Sequence, residues 1–164
     1  MIFRIFALET SAPAAVLLVR LLIGLVVFLP EGVQKLIFPD ILGAGRFAHI
    51  GIPFPDLTGP FVGIVEIVCG LLVILGLLTR LAAVPLIVIM IVAIVSTKVP
   101  ILLGQDFWIF HVPKLARYGA WSMLHEARTD LVMLLGALFL LIVGGGAWSI
   151  DAILAHRLAP RRQA

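Results

Sequence analysis

The sequence has little charge, one cysteine and one tyrosine. Only 13% of its 164 residues are charged, whereas 62% are hydrophobic, and the mean hydropathy is +1.21. A soluble domain carries about 25% charged residues, so the composition excludes a water-soluble monomer. The lone Cys69 excludes an internal disulfide and a CxxC redox motif. These shortages predict an integral membrane protein whose main partner is the lipid bilayer.

Long apolar runs take up most of the chain. Each is close to the roughly 17–25 residues that a helix needs to cross the hydrocarbon core. Arg20 interrupts the first run, and no small-residue cleavage site follows it, which favours an uncleaved helix over a signal peptide. The runs predict one all-α membrane domain, residues 1–164, folded as a four-transmembrane-helix bundle with helices at about 13–36, 57–78, 81–103 and 130–148.

Two long connections separate these runs. Residues 39–60 are rich in proline and glycine, which is typical of turns, and leave room for one short helix at 44–50. Residues 105–128 contain Trp108, Tyr118 and Trp121 among basic residues, a mixture typical of the headgroup level of a membrane. We therefore expect a short outer interfacial helical segment at 105–128 that covers the mouth of the bundle.

The distribution of Lys and Arg predicts the orientation. Four helices place both termini and the turn at 79–80 on one side, and that side has the higher density of basic residues, which is typical of the cytoplasm. Its charged residues are Arg4, Glu9, Arg80, Asp151, Arg157, Arg161 and Arg162. The basic residues of the chain are scattered or terminal rather than arranged on one face, so they do not indicate nucleic-acid binding.

Arg20 and Glu66 lie inside apolar runs. A charge at the bilayer centre costs from about 2.5 to over 10 kcal/mol, so such groups usually face inward and pair. If the first helix ends at Pro30, Arg20 and Glu66 lie at nearly the same depth, and both belong to stripes of small or polar residues. We expect a direct Arg20–Glu66 ion pair between the first two helices, with either a structural or a functional role. The stripes are Arg20, Gly24, Val27, Glu31 and Lys35 on one helix and Gly59, Gly63, Glu66 and Gly70 on the other.

More ionisable residues gather near the predicted outer boundary. This outer-mouth polar cluster consists of Glu31, Lys35, Lys98, His125, Glu126, Arg128 and Asp130. Such a group at a low-dielectric boundary could move protons or hold a polar head group. Alternatively, the acids complement a helix dipole and Lys98 reaches the interface. The segment "HEAR" lacks the second histidine of HExxH, so no metal site is predicted, and whether His111 and His125 bind anything stays open.

The first half of the chain resembles the DoxX family of small bacterial four-helix membrane proteins. The resemblance covers residues 16–100 and lies in "RLLIGLVVFLPEGVQKL", "RFAHIGIPFP" and "EIVCGLLVILGLLTRLAA". It implies a multi-pass protein of the bacterial inner membrane. Relatives are tied to quinone-linked oxidation of sulfur compounds or to membrane redox-stress complexes.

Three functions follow from the resemblance and the charged residues together. The first is a quinone-interacting subunit of a membrane oxidoreductase system that receives electrons from a partner subunit and has no covalently bound cofactor. The second is a non-catalytic scaffold for a soluble redox enzyme. The third is a small transporter, which would require a homo-oligomer because four helices are few for a monomeric transporter.

Overall fold

Apolar runs of the sequence fold into long helices. The computed structural model describes residues 12–158, so Arg4, Glu9, Arg161 and Arg162, used above to predict orientation, lie outside the described residues. The chain starts with α1 (Val16–Ile37), the short α2 (Ala44–Ile50), α3 (Pro55–Leu75) and α4 (Thr79–Leu103). By length and composition, α1, α3 and α4 are suited to crossing a membrane. The predicted short helix at 44–50 is confirmed.

Two further helices complete the described chain, α5 (Ala120–Val143) and α6 (Ile150–Leu158). Helix α5 begins ten residues before the predicted fourth span and therefore carries the charged residues around His125 in its own first turns. Within residues 12–158 the regular structure is helical, apart from an isolated β-bridge between Phe107 and Phe110. The all-α prediction is confirmed for this part of the chain.

The predicted interfacial helical segment at 105–128 is not found as such. Residues 105–119 contain no helix, and residues 120–128 belong to the beginning of α5. Gly119, with a φ of 106°, separates the two parts. This positive φ is readily adopted by glycine and lets the chain turn directly into a long helix.

Helix α1 continues through Pro30 because its middle is π-helical. Proline lacks an N–H and clashes with the carbonyl group four residues earlier in an α-helix. In the segment Val27–Val33 the bonding changes to the wider π pattern, and the helix runs on to Ile37. A second π-helical segment, Ile94–Lys98, lies in α4.

The long helices pack side by side, with α3 between α1 and α4, and α5 against α4 and α1. Small residues allow α1 and α3 to approach closely, as the predicted stripes require: a Cβ atom at Gly24 would lie 2.6 Å from the Ile74 side chain. The start of α1, the α3–α4 turn and the segment after α5 form one end of the bundle, which we call the Arg20 end. The opposite end, with α2 and the α4–α5 loop, is the Lys35 end.

Candidate ligand-binding site

Arg20 is buried at its own end of the bundle and does not contact Glu66. Only 2% of the residue is exposed. Its guanidinium group donates hydrogen bonds to the carbonyl oxygens of Val73 (3.0 Å), Ile74 (2.7 Å), Gly145 (3.0 Å) and Trp148 (2.6 Å). The first two carbonyls end α3, where the helix dipole favours a cation. The predicted Arg20–Glu66 ion pair is therefore wrong, and backbone oxygens satisfy Arg20 instead.

The error came from the depth of Arg20. The pairing prediction measured the depth of Arg20 from Pro30, although the predicted span continued to about residue 36, and α1 in fact extends to Ile37. Arg20 consequently lies deeper than expected, beside the last turn of α3. Lys35, on the same stripe of α1, lies fifteen residues away, or roughly 22 Å along the axis at about 1.5 Å per residue.

Asp151 completes the Arg20 end. It is 1% exposed, and its carboxylate accepts hydrogen bonds from the Leu78 N–H (2.7 Å), the Thr79 N–H (3.0 Å) and the Thr79 hydroxyl (2.9 Å). These donors open α4, so Asp151 caps that helix from another part of the chain. No local pattern around Asp151 indicates this role, because the capped amides are more than seventy positions away.

The Lys35 end contains the partner that Glu66 does use. The Lys35 ammonium group lies 2.7 Å from Glu66 Oε2 and 3.1 Å from Glu31 Oε2, and it also donates to the Glu31 carbonyl oxygen at 3.1 Å. The side chains of Glu66, Lys35 and Glu31 are 1%, 9% and 29% exposed. The three groups thus form a chain of charges that leads from the buried interior towards the surface.

A second buried ion pair lies nearby between α4 and α5. Lys98 Nζ is 3.2 Å from Asp130 Oδ2, and Lys98 is 7% exposed. Lys98 ends the π-helical segment Ile94–Lys98. Glu31 likewise belongs to the π-helical segment of α1. Both irregular segments therefore carry charged residues at this end, and π-helical turns are frequent at functional sites.

A cavity of about 340 Å³ lies beside these groups, within the size range of small-molecule sites. Its wall is mostly apolar. Lys35, Glu66, Glu31 and Asp130 contribute charged groups, and Arg46 reaches it from α2. The apolar and hydroxyl-bearing lining residues are Phe47, Ile50, Ile52, Thr58, Phe61, Val62, Val88, Ile89, Met90, Val92, Ala93, Ser96 and Thr97.

The predicted outer-mouth cluster divides in two. Glu31, Lys35 and Asp130 line the cavity, and Lys98 reaches it through its pairing with Asp130. His125, Glu126 and Arg128 are exposed on the outside of α5 and do not line it. Arg128 donates to the His125 carbonyl oxygen. Successive residues of an α-helix point about 100° apart around its axis, so neighbours in sequence on α5 face different surroundings.

Residues 105–128 do not cover this cavity, so that prediction is wrong. Helix α2 lies beside the cavity instead and contributes Arg46, Phe47 and Ile50 to its lining. The loop before α5 is hydrogen-bonded to the end of α2, because the His111 N–H donates to the Ile50 carbonyl oxygen at 2.8 Å.

His111 has a local partner in the same loop. Its Nδ1 lies 3.0 Å from Asp106 Oδ2, and the Val112 N–H donates to Asp106 Oδ1 at 2.8 Å. The Val112 hydrogen bond, followed by that of His111, lowers the pKa of the Asp106 carboxyl group. Among residues 12–158, no three or more His, Cys, Asp or Glu side chains are grouped so as to hold a metal ion.

Arg46 is the charged cavity residue that the sequence did not indicate. Lys35 already contacts three oxygens, and the hydroxyl groups of Thr58 and Thr97 each donate to the carbonyl oxygen of the residue four positions earlier. Arg46 makes no hydrogen bond or ion pair with a described residue, although its charge acts on Glu66. Its guanidinium group is therefore the donor in this cavity that is available to a ligand.

Comparison with known proteins places these features in a family. The DoxX family profile matches residues 15–99. The chain belongs to the DoxX family. It is also 52% identical over 150 residues to an uncharacterized membrane protein of Mycobacterium tuberculosis, an alignment that covers 92% of this chain and 87% of the relative. No solved structure matches the chain. The DoxX match contains α1–α3 and most of α4, and thus every cavity residue except Asp130.

Proposed function

We propose that this DoxX-family membrane protein binds the head group of a membrane-soluble quinone in the cavity at the Lys35 end. The observation that carries the proposal is an apolar cavity with a buried Lys35–Glu66 ion pair in its wall. Such combinations of apolar lining and a few converging polar groups are typical of ligand sites. In this proposal a partner protein supplies the electrons, and this chain supplies the quinone site.

The residues present fit a quinone. Its flat ring requires apolar walls, which Phe47, Ile89 and Met90 offer. Its carbonyl oxygens require hydrogen-bond donors, and the Arg46 guanidinium group is available while Lys35 lies deeper in the same wall. The charges in the lining are of both signs, which suits an uncharged head group better than a strongly ionic one.

The proposal includes a fourth membrane span and an orientation. The later part of α5 exposes Val132, Leu135, Phe139 and Ile142 on its outer face, as a helix surrounded by acyl chains does. We place α5 across the membrane and the Arg20 end in the cytoplasm of a bacterial inner membrane. The Lys35 end then lies towards the outer side.

The test is quinone binding by the protein in nanodiscs, measured by quenching of tryptophan fluorescence and by extraction of co-purified quinone. Arg46→Leu should weaken binding about tenfold or more, since a hydrogen bond to a charged group contributes about 1.5–3 kcal/mol. Arg128→Leu is the matched control, because Arg128 is exposed at the same end but does not line the cavity. It should bind quinone like the parent protein.

The alternatives give different results in the same preparation. A protein that neither retains nor binds quinone, yet holds a soluble redox enzyme stably, would be a scaffold. Solute flux in protein-containing liposomes that stops on Glu66→Gln would indicate a transporter. Equal binding by the Arg46→Leu and Arg128→Leu variants would remove the cavity as the quinone site.

A further inference from the structure

Part of the cavity wall is formed by exposed side chains of α3 and α4, two helices suited to crossing a membrane. Three lining residues lie on the outer faces of α3 and α4: Phe61, Val88 and Val92 are 62%, 55% and 48% exposed. In a membrane-spanning helix such side chains face the acyl chains. Val88 lies near the middle of α4, so the opening that these three side chains border lies well inside the apolar part of the protein.

Helix α2 lines the cavity on the side of the α4–α5 loop. The beginning of this helix packs directly on α3, because a Cβ atom at Gly59 would lie 2.8 Å from the Ala44 backbone nitrogen. Its centre is anchored by Phe47, which is 8% exposed. Its end is bound to the α4–α5 loop by the hydrogen bond between the His111 N–H and the Ile50 carbonyl oxygen.

We infer that the ligand enters this cavity sideways from the bilayer, between α3 and α4, and leaves an apolar tail in the opening formed by Phe61, Val88 and Val92. The inference rests on the proposed quinone site and narrows the ligand to lipids with a small polar head and a long chain. The head group reaches Arg46 and the Lys35–Glu66 pair, while the tail remains among the acyl chains. Arg46 and the opening thus contact opposite parts of the same molecule.

A quinone with a photoreactive diazirine on the first unit of its tail tests this route. After irradiation in nanodiscs, mass spectrometry should locate the adduct on Phe61, Val88 or Val92, and an excess of unlabelled quinone should suppress it. An adduct on α2 or on residues 105–119 would overturn lateral entry while leaving the quinone site intact. Absence of any suppressible adduct, together with absence of binding, would remove both proposals.

A pair of tryptophan variants gives a second, kinetic test. Val88→Trp places a bulky ring in the opening and should slow quinone association about tenfold. Val84→Trp is the matched control, because Val84 lies one turn earlier on α4 and is 46% exposed but does not line the cavity. Equal association rates for the two variants would overturn lateral entry, and slower association in Val88→Trp alone supports it.

Discussion

Each end of the bundle contains a buried basic residue and a buried acidic residue, but the partners of these residues differ between the two ends. At the Arg20 end, Arg20 and Asp151 are buried and bonded to backbone groups of the α3–α4 turn and the segment after α5. At the Lys35 end, Lys35 and Glu66 are buried and bonded to each other, and both border a cavity. Burial of a charge alone therefore does not identify a functional residue in this protein.

The two ends differ in the groups that bond to the buried charged side chains. Backbone N–H and C=O groups at helix ends need partners, and Arg20 and Asp151 supply them where three segments meet. Their hydrogen bonds join segments of the protein to one another. The Lys35–Glu66 pair instead joins two side chains of the packed helices α1 and α3 and borders a cavity, which is the basis of the proposed binding site.

The largest effect is expected from Arg20→Met. The substitution leaves the four carbonyl oxygens that Arg20 now bonds without that donor, and we expect a loss of about 4 kcal/mol in the free energy of unfolding. Denaturant unfolding in detergent measures it. Arg117→Met, at an exposed arginine of the α4–α5 loop, is the control. Similar stabilities of the two variants would show that Arg20 does not hold this end together.

Asp151→Ala should have the next largest effect. It removes the cap of α4 and leaves the Leu78 and Thr79 N–H groups without the carboxylate, which typically costs up to about 2 kcal/mol. The same unfolding measurement applies, with the exposed Asp40→Ala as control. Quinone binding should remain unchanged at temperatures where the variant is folded, because the cap is remote from the cavity. Weaker binding by the folded variant would contradict the separation of the two ends.

Glu66→Gln should destabilise the protein less. Breaking a buried ion pair from one side typically costs about 3–5 kcal/mol, but Lys35 keeps Glu31 at 3.1 Å, so we expect about 1–2 kcal/mol. The double variant Lys35→Met/Glu66→Leu should recover part of the stability and bind quinone poorly. Glu126→Gln, on the outside of α5, is the control. A double variant that binds like the parent protein would show that the pair is structural.

The smallest effect concerns the exposed Asp106, whose pKa is lowered in the folded protein. Its contribution to stability is therefore present above the ordinary carboxyl pKa of about 3.9 and is lost as the pH falls through the lower folded value. NMR titration of the carboxyl carbon should show a rise in this pKa in His111→Gln and a larger rise in Val112→Pro, which removes the stronger N–H interaction. His49→Gln should leave it unchanged. The reverse order of the first two variants would contradict the assigned causes.

The sequence alone determined the membrane class, the long helices and the short helix at 44–50, because apolar runs and turn-forming residues act over short distances. It also identified the faces on which Arg20, Lys35 and Glu66 lie, since the spacing of small residues follows the helical repeat. The DoxX resemblance depended on the same local motifs. All of these are properties of one segment at a time.

Only the tertiary structure decided which charges meet. The partner of Glu66 depends on how far α1 continues past Pro30, and the π-helical turn that permits this is not visible in the sequence. Arg20 and Asp151 bond to backbone atoms, which every residue possesses and no pattern of side chains reveals. Arg46 became a cavity residue because α2 folds over α3 at Gly59. Register and close packing between distant segments set these contacts, and both arise only when the helices assemble.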